Sequence, residues 1–316
     1  MDLAIKNKII DLIDSKVLID EPLKRHTTFG VGGSASIFVY PHNKEDLIKL
    51  LKFISKEKIE IFFMGSGSNL LISDKGFDGV IVSLKKSFKN FEVNDSLEAN
   101  IGTGVMLGNM VRLLTKKSAK GLESLVGVPG TLGGALIMNA GAYGSEISNY
   151  LVSIKVLDLK GNEKTYNKED IAFSYRFSSI SKQEIVIEAK FQFQEGNLNN
   201  IIKNKSNASQ KRRNSQPLQF RSAGSIFKNP KSGMAAGYLI DQSSLKGTRI
   251  GNAEISEKHA NFIINHGKAS SDDILKLIKI IKNKVKKNFD IDLELEVKLL
   301  GFCSSELEGI AWRWII

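Results

Sequence analysis

Two glycine clusters are the places where this 316-residue chain could touch a ligand with its main chain. The larger runs from Gly121 to Glu146, GLESLVGVPGTLGGALIMNAGAYGSE, with glycine at 121, 127, 130, 133, 134, 141 and 144 and acids only at Glu123 and Glu146. Glycine reaches positive φ and lets a main-chain N–H approach a ligand closely. With no charge between the two acids, the binding groups are main-chain amides, which suit a diphosphate or an electron-rich ring edge. A tight apolar turn packed on a strand is the plainer reading of the same glycines. The smaller cluster lies in Ile61 to Leu71, IFFMGSGSNLL, where an apolar strand runs into Gly65-Ser66-Gly67-Ser68-Asn69. Strand followed by a turn rich in amides and hydroxyls is a pyrophosphate cradle in outline. It is not a dinucleotide fingerprint, because Leu70 stands where the third glycine is needed, and no Gly-Lys-Ser/Thr closes a P-loop anywhere in the chain. Gly102-Thr103-Gly104 also lacks its third glycine.

Several elements must hold these turns. The pattern predicts a helix over 3–17, a glycine-rich turn at Gly30, Gly32 and Gly33, and a β-rich run to Tyr40. Asn43 then caps a helix that buries Leu47, Ile48, Leu50, Leu51 and Ile54. Strands follow at 59–64 and 80–84, a long polar strand at 91–101, and a helix at 107–114. Further strands are expected at 151–158 and 185–194. The latter alternates, with Ile187, Ala189, Phe191 and Phe193 on a core face and Glu188, Lys190, Gln192 and Gln194 facing water. Glu195-Gly196-Asn197 is the best domain boundary. Past a basic helical stretch comes a helix capped by Ser270 or Ser271, with Asp272 and Asp273 in its first turn, burying Ile274, Leu275, Leu277, Ile278, Ile281 and Val285. A strand over 293–300 closes the pattern, and no internal repeat is visible.

Composition is that of a globular protein: 42% hydrophobic and 25% charged residues. Cys303 is the single cysteine, so no disulfide can form within the chain, which fits a reducing compartment. The N-terminus, MDLAIKNKIIDLIDSK, has acids at 2, 11 and 14 and does not read as a signal peptide. No stretch reaches the ~20 apolar residues needed to span a bilayer. The expectation is a cytoplasmic protein without membrane partners. The net charge of +11 raises a nucleic-acid reading, but only eight of 45 basic residues are arginine and the lysines are scattered. A lysine-rich solvated surface that helps steer an anionic ligand accounts for it better.

Seven motifs in order, HTTFGVGG (26–33), MGSGSNLLISDKGFDG (64–79), the 121–146 segment, FSYR (173–176), SAGSIFKNP (222–230), ISEKHANFIIN (255–265) and LELEVKLLG (293–301), resemble the UDP-N-acetylenolpyruvoylglucosamine reductase (MurB) family over about residues 20–301. The resemblance implies an α+β protein. It would have a two-lobed FAD-binding module of the vanillyl-alcohol-oxidase type over 1–195, with lobes of about 1–84 and 85–195. A C-terminal α+β substrate-binding domain would follow over 196–301, its last strand returning to the first lobe, and then a tail at 302–316 without an assigned role. It also implies a reaction: NADPH reduces bound FAD, and the flavin delivers hydride to the enolpyruvyl group of UDP-N-acetylglucosamine enolpyruvate, giving UDP-N-acetylmuramate for peptidoglycan. NADPH and the UDP-sugar would be the small-molecule partners of a cytoplasmic monomer.

Residue by residue, Arg176 of FSYR matches the family position that steadies negative charge built on C2 and the carboxylate. Ser225, the second serine of SAGS, matches the proton donor to C2. Glu296 of LELEV matches the acid that polarises the carboxylate. Flavin contacts carry over to Gly65, Ser66, Gly67, Ser68, Asn69 and Leu70, and to Gly127, Val128, Pro129, Gly130, Thr131, Gly133, Gly134 and Ala135. Asn139, Gly141, Ala142 and Tyr143 lie beside them. For the UDP-sugar the candidates are Tyr175, Arg212 or Arg213, Lys228 and Asn229, although Lys228 and Asn229 fit equally well as caps of the turn before Pro230. No metal site is expected. The nest reads GSGS where GGGS is frequent, Arg221 precedes SAGS where a small residue or proline is common, and no insertion after 176 supplies the tyrosine-bearing lid of one subclass. The chain therefore resembles the shorter, lidless subclass. Two other readings remain at this point: a different FAD-dependent oxidase or dehydrogenase on the same scaffold, and a polyanion-binding protein using the +11 charge.

Overall fold

The computed structural model describes residues 1–310; within the 302–316 tail, residues 311–316 lie outside the described part. Two compact units interleave along the chain: unit 1 takes residues 1–19, 36–66 and 79–212, and unit 2 takes 20–35, 67–78 and the chain from 213 onward.

Unit 1 has two cores. One lies under the N-terminal helices α1 (Leu3–Leu12) and α2 (Lys44–Glu57), which bury Ile9, Leu47, Leu50, Leu51 and Ile54 against Ile37, Val39, Val80 and Val82. The strands there follow the order Lys16–Pro22, Ser34–Tyr40, Phe77–Val82, Ile61–Phe63. Asn43 caps α2 by accepting from Asp46 N–H at 2.8 Å. The first helix is shorter than its apolar spacing suggested. Its C-cap Ile13 is already extended, and the aliphatic run of Val17, Leu18 and Ile19 joins the sheet instead, because β-branched residues pack well on a pleated face.

The second core lies on a five-stranded antiparallel sheet, ordered Glu163–Asn167, Leu151–Asp158, Glu184–Gln192, Glu98–Gly102, Phe91–Val93. Helices α3 (Leu107–Lys116) and α4 (Leu132–Ile137) cover it with Met110, Val111, Leu114, Leu132 and Leu136. Two expectations change here. The long polar strand over 91–101 is a hairpin, since Asn94 Oδ1 accepts from Glu98 N–H at 2.9 Å and Leu97 takes φ 59°, closing a turn. In Glu184–Gln192 the face switches: Ala189 and Phe191 join this core while Ile185 and Ile187 join the other. The pairing slips between Lys155↔Glu188 and Val156↔Val186, and that one-residue bulge inverts the alternation.

In unit 2, helices α6 (Ala236–Gln242) and α7 (Ser271–Phe289) pack with a three-stranded antiparallel sheet, Arg249–Ile250, Ala253–Ile255 and Ile263–Asn265. Between α4 and α6 in the chain runs α5 (Leu198–Ser215). A reciprocal Ser270–Asp273 box caps α7, and the Asp74 carboxylate adds an acceptor for Ser271 N–H at 2.6 Å. The strand expected over 293–300 is regular only at Lys298–Leu300, parallel to Leu70–Ile72; upstream of it Leu295 makes an isolated bridge to Phe227. Among the described residues no helix is long and apolar enough to cross a membrane.

Candidate active site

In unit 1 the start of the nest and the larger glycine segment meet. A Cβ on Gly65 would lie 2.7 Å from Thr131 Oγ1, so only glycine fits there. That hydroxyl caps α4 by accepting from Gly134 N–H, and Gly65 C=O accepts from Ser83 Oγ at 3.2 Å. Gly127 and Gly130, with φ of 74° and 149°, lie just upstream of α4. Unit 2 holds the rest of the nest. Gly67 takes φ 69°, its carbonyl accepts from Thr28 N–H at 3.1 Å, and Asn69 C=O accepts from Lys298 N–H at 3.0 Å. Close-packed glycine backbone with positive φ in anchored turns is the chemistry a flavin diphosphate needs, so these residues fit FAD.

Arg176 sits in unit 1 at the tip of a tight hairpin, Phe173–Ser174 paired with Phe177–Ser178, that leaves no room for an inserted segment. Its Nη1 donates to Gly141 C=O at 3.1 Å and its guanidinium lies 5.0 Å from the centre of the Tyr175 ring. Asn139 holds the other side of this hairpin. Fully buried and at φ 41°, it donates through Nδ2 to Ser174 C=O at 3.1 Å and to Glu146 Oε2 at 2.7 Å. Its side chain is thus a strut between the hairpin and the 139–148 loop. Arg212 joins the group: its Cδ would lie 3.3 Å from a Cβ on Gly127. Burial pulls the Arg212 guanidinium below its ordinary pKa, Tyr143 pulls it back up, and the positive charge of Arg176 adds to the lowering. Lys211 lies 5.5 Å from the centre of the exposed Tyr143 ring. Two guanidiniums, an ammonium and two exposed tyrosines, Tyr143 and Tyr175, form a surface suited to an anion bearing flat groups.

Ser225 and Glu296 come together in unit 2. The segment after Ser225 runs between two others: Ser225 bridges Phe262 on one side, and on the other Glu296 N–H donates to Ile226 C=O at 2.8 Å. The Glu296 carbonyl accepts from Asn69 Nδ2 at 3.0 Å, tying it to the nest. Lys228, 9% exposed, pairs with Glu294 at 2.9 Å. Asn229 Oδ1 accepts from Ala236 N–H at 3.0 Å at the start of α6, a capping contact. Arg213 is exposed and its carbonyl accepts from Lys258 Nζ at 2.7 Å. Arg221, the unusual residue before SAGS, lies over Gly30, where a Cβ would come within 2.3 Å of its Nη1.

Within the motif ISEKHANFIIN, to which the sequence assigns no residue role, the His259–Asn261 loop is bonded through Asn261 to Ile226 and Phe227. Burial lowers the His259 pKa, which favours the neutral ring, and its Nδ1 accepts from Asn261 N–H at 3.3 Å. A polar residue inside the apolar run ANFII was the available signal.

Anchored, glycine-rich turns of this kind fit an FAD-binding oxidoreductase. Comparison with known proteins agrees: residues 35–166 match an FAD-binding domain, and 216–300 match the UDP-N-acetylenolpyruvoylglucosamine reductase C-terminal domain. The UDP-N-acetylenolpyruvoylglucosamine reductase of Clostridioides difficile is 43% identical over 90% of this chain and 93% of its own, and that of Clostridium kluyveri 42% over 95% and 98%. The solved Thermus caldophilus enzyme of that name superposes with a TM-score of 0.77 at 31% identity, covering 91% of this chain and 99% of its own. The chain belongs to the UDP-N-acetylenolpyruvoylglucosamine reductase (MurB) family, enzymes of peptidoglycan precursor synthesis. Its cofactors are FAD and, as co-substrate, NADPH. The expected two-part α+β architecture stands, and the reading as a different flavoenzyme gives way to this membership.

Proposed function

We propose that the protein, acting as a cytoplasmic monomer, reduces UDP-N-acetylglucosamine enolpyruvate with NADPH and one proton to UDP-N-acetylmuramate and NADP⁺. The contact that carries this reading is the main-chain bond from Glu296 N–H to Ile226 C=O, which runs the backbone segments bearing Ser225 and Glu296 alongside each other. Gly65–Leu70 and Gly127–Ala135 would hold the flavin, with 139–143 beside them. Bound there, FAD would supply the two-electron, hydride-carrying chemistry that links NADPH to C3 of the enolpyruvyl ether.

The protein's own task is the charge that hydride addition builds on C2 and the carboxylate. Arg176 meets that charge with a rigid fork of N–H donors, fixed by its bond to Gly141. The Ser225 hydroxyl donates the proton to C2; a hydroxyl is a weak acid in water, but transfer to a carbanion-like carbon is downhill once the two are aligned. Glu296 shares a proton with the substrate carboxylate and keeps it polarised. Tyr175, Arg212, Arg213, Lys228 and Asn229 are the residues for the UDP-sugar. Of these, Arg212 is supported best, by its place beside Arg176 and Tyr143, and Asn229 least, by its engagement with Ala236.

The test is the Ser225→Ala variant followed by stopped flow. Flavin reduction by NADPH should proceed at the wild-type rate, while reoxidation by the enolpyruvyl sugar should slow by about 10²–10⁴-fold. Equal slowing of both half-reactions would remove the proton-donor role.

A further inference from the structure

The main chain after Ser225 lacks a continuous strand on its 259–263 side, where the Ser225–Phe262 bridge is isolated. One side chain completes that edge. Asn261, 4% exposed, accepts from Phe227 N–H through Oδ1 at 3.0 Å and donates to Phe227 C=O through Nδ2 at 2.8 Å. Its own carbonyl accepts from Ile226 N–H at 2.9 Å. An amide supplies one donor and one acceptor side by side, as a strand rung does. An apolar residue of the same size would leave the Phe227 N–H and C=O buried without those partners. The opposite edge of the segment bonds Ile226 C=O to Glu296 N–H, and Glu296 C=O to Asn69 Nδ2. A shift of Ile226 and Phe227 therefore moves Ser225 and Glu296 together.

We infer that Asn261 is the positioning residue for proton delivery: its side-chain amide holds the Ile226–Phe227 main chain, and through it sets the Ser225 hydroxyl and the adjacent Glu296. The inference rests on the proton-donor reading of Ser225. Asn265 provides a matched control. It is 3% exposed and equally engaged, with Nδ2 donating to Phe29 C=O at 2.8 Å and Oδ1 accepting from Gly267 and Ala269 N–H, but it serves a different loop.

Both half-reactions are measured for Asn261→Ala, Asn265→Ala and Ser225→Ala holoenzymes. For Asn261→Ala the expected result is wild-type flavin reduction by NADPH and a limiting reoxidation rate lowered by about 10²-fold, the cost of misplacing a reacting group by about 1 Å. The sugar concentration at half the limiting rate should change little. Asn265→Ala should melt at a lower temperature yet reoxidise like wild type. Should Asn261→Ala purify without flavin, Asn261→Asp, which keeps the acceptor toward Phe227 N–H and loses the amide donor, is measured instead with the same expectation. Reoxidation of the Asn261 variant as fast as that of Asn265→Ala, or a rise in half-saturating sugar alone, overturns the inference while a slow Ser225→Ala keeps the Ser225 reading. A Ser225→Ala enzyme that reoxidises at the wild-type rate overturns both.

Discussion

Arg176 holds a left-handed backbone, φ 56°, at the tip of a two-residue turn. A non-glycine residue in that region costs on the order of 1–3 kcal/mol and persists only where its surroundings demand it. Here the demand comes from two sides: Asn139 grips the strand before it, and Gly141 grips its guanidinium. Asn139 and Tyr143 are left-handed as well, so the strained arginine is accompanied by two further strained residues in the segment that holds it. Arg176→Lys keeps the charge and much the same backbone strain but loses the planar fork. Reoxidation of the reduced flavin by the enolpyruvyl sugar should then fall by about 10²–10³-fold, with reduction by NADPH unchanged. A lysine variant that reoxidises at the wild-type rate would show that charge alone suffices there.

Among the elements, the junction of Gly65 with the Thr131 cap of α4 is the most constrained. Gly65→Ala would push a methyl into Thr131 Oγ1, the atom that accepts from Gly134 N–H. Overpacking of this kind costs on the order of 1–3 kcal/mol, and here it should appear as weaker FAD binding, about tenfold or more by flavin-fluorescence titration. Unchanged FAD affinity would separate this junction from the cofactor. The sequence made the glycines of this junction legible because glycine density is a local signal, and the same holds for the caps at Asn43 and Ser270. It left the bulge at Ile187 and the Asn94 hairpin unseen. Alternation continues through the apolar residues around Ile187, and only pairing with Leu151–Asp158 and Glu98–Gly102 decides where the register slips. Asn261 was hidden for a related reason: its partners, Ile226 and Phe227, lie more than 30 residues away in the chain.

For the whole molecule, what the sequence could not convey was the interleaving, in which residues 20–35 and 67–78 join the chain from 213 onward in one compact unit. Linear reading assigns segments to domains in order, whereas Thr28–Gly67, Asp74–Ser271 and Asn69–Glu296 are contacts between distant stretches. The activity was legible because seven motifs keep their order despite this folding back. The net charge of +11 is then best read as a field that draws in anionic NADPH and a UDP-sugar. The central claim is that one flavin passes electrons from NADPH to the enolpyruvyl sugar, and one anaerobic experiment tests it. The absorbance of the purified holoenzyme is recorded as NADPH and then UDP-N-acetylglucosamine enolpyruvate are added. The flavin band should bleach with the first and return with the second. A band that bleaches and stays bleached when the enolpyruvyl sugar is added would contradict the account.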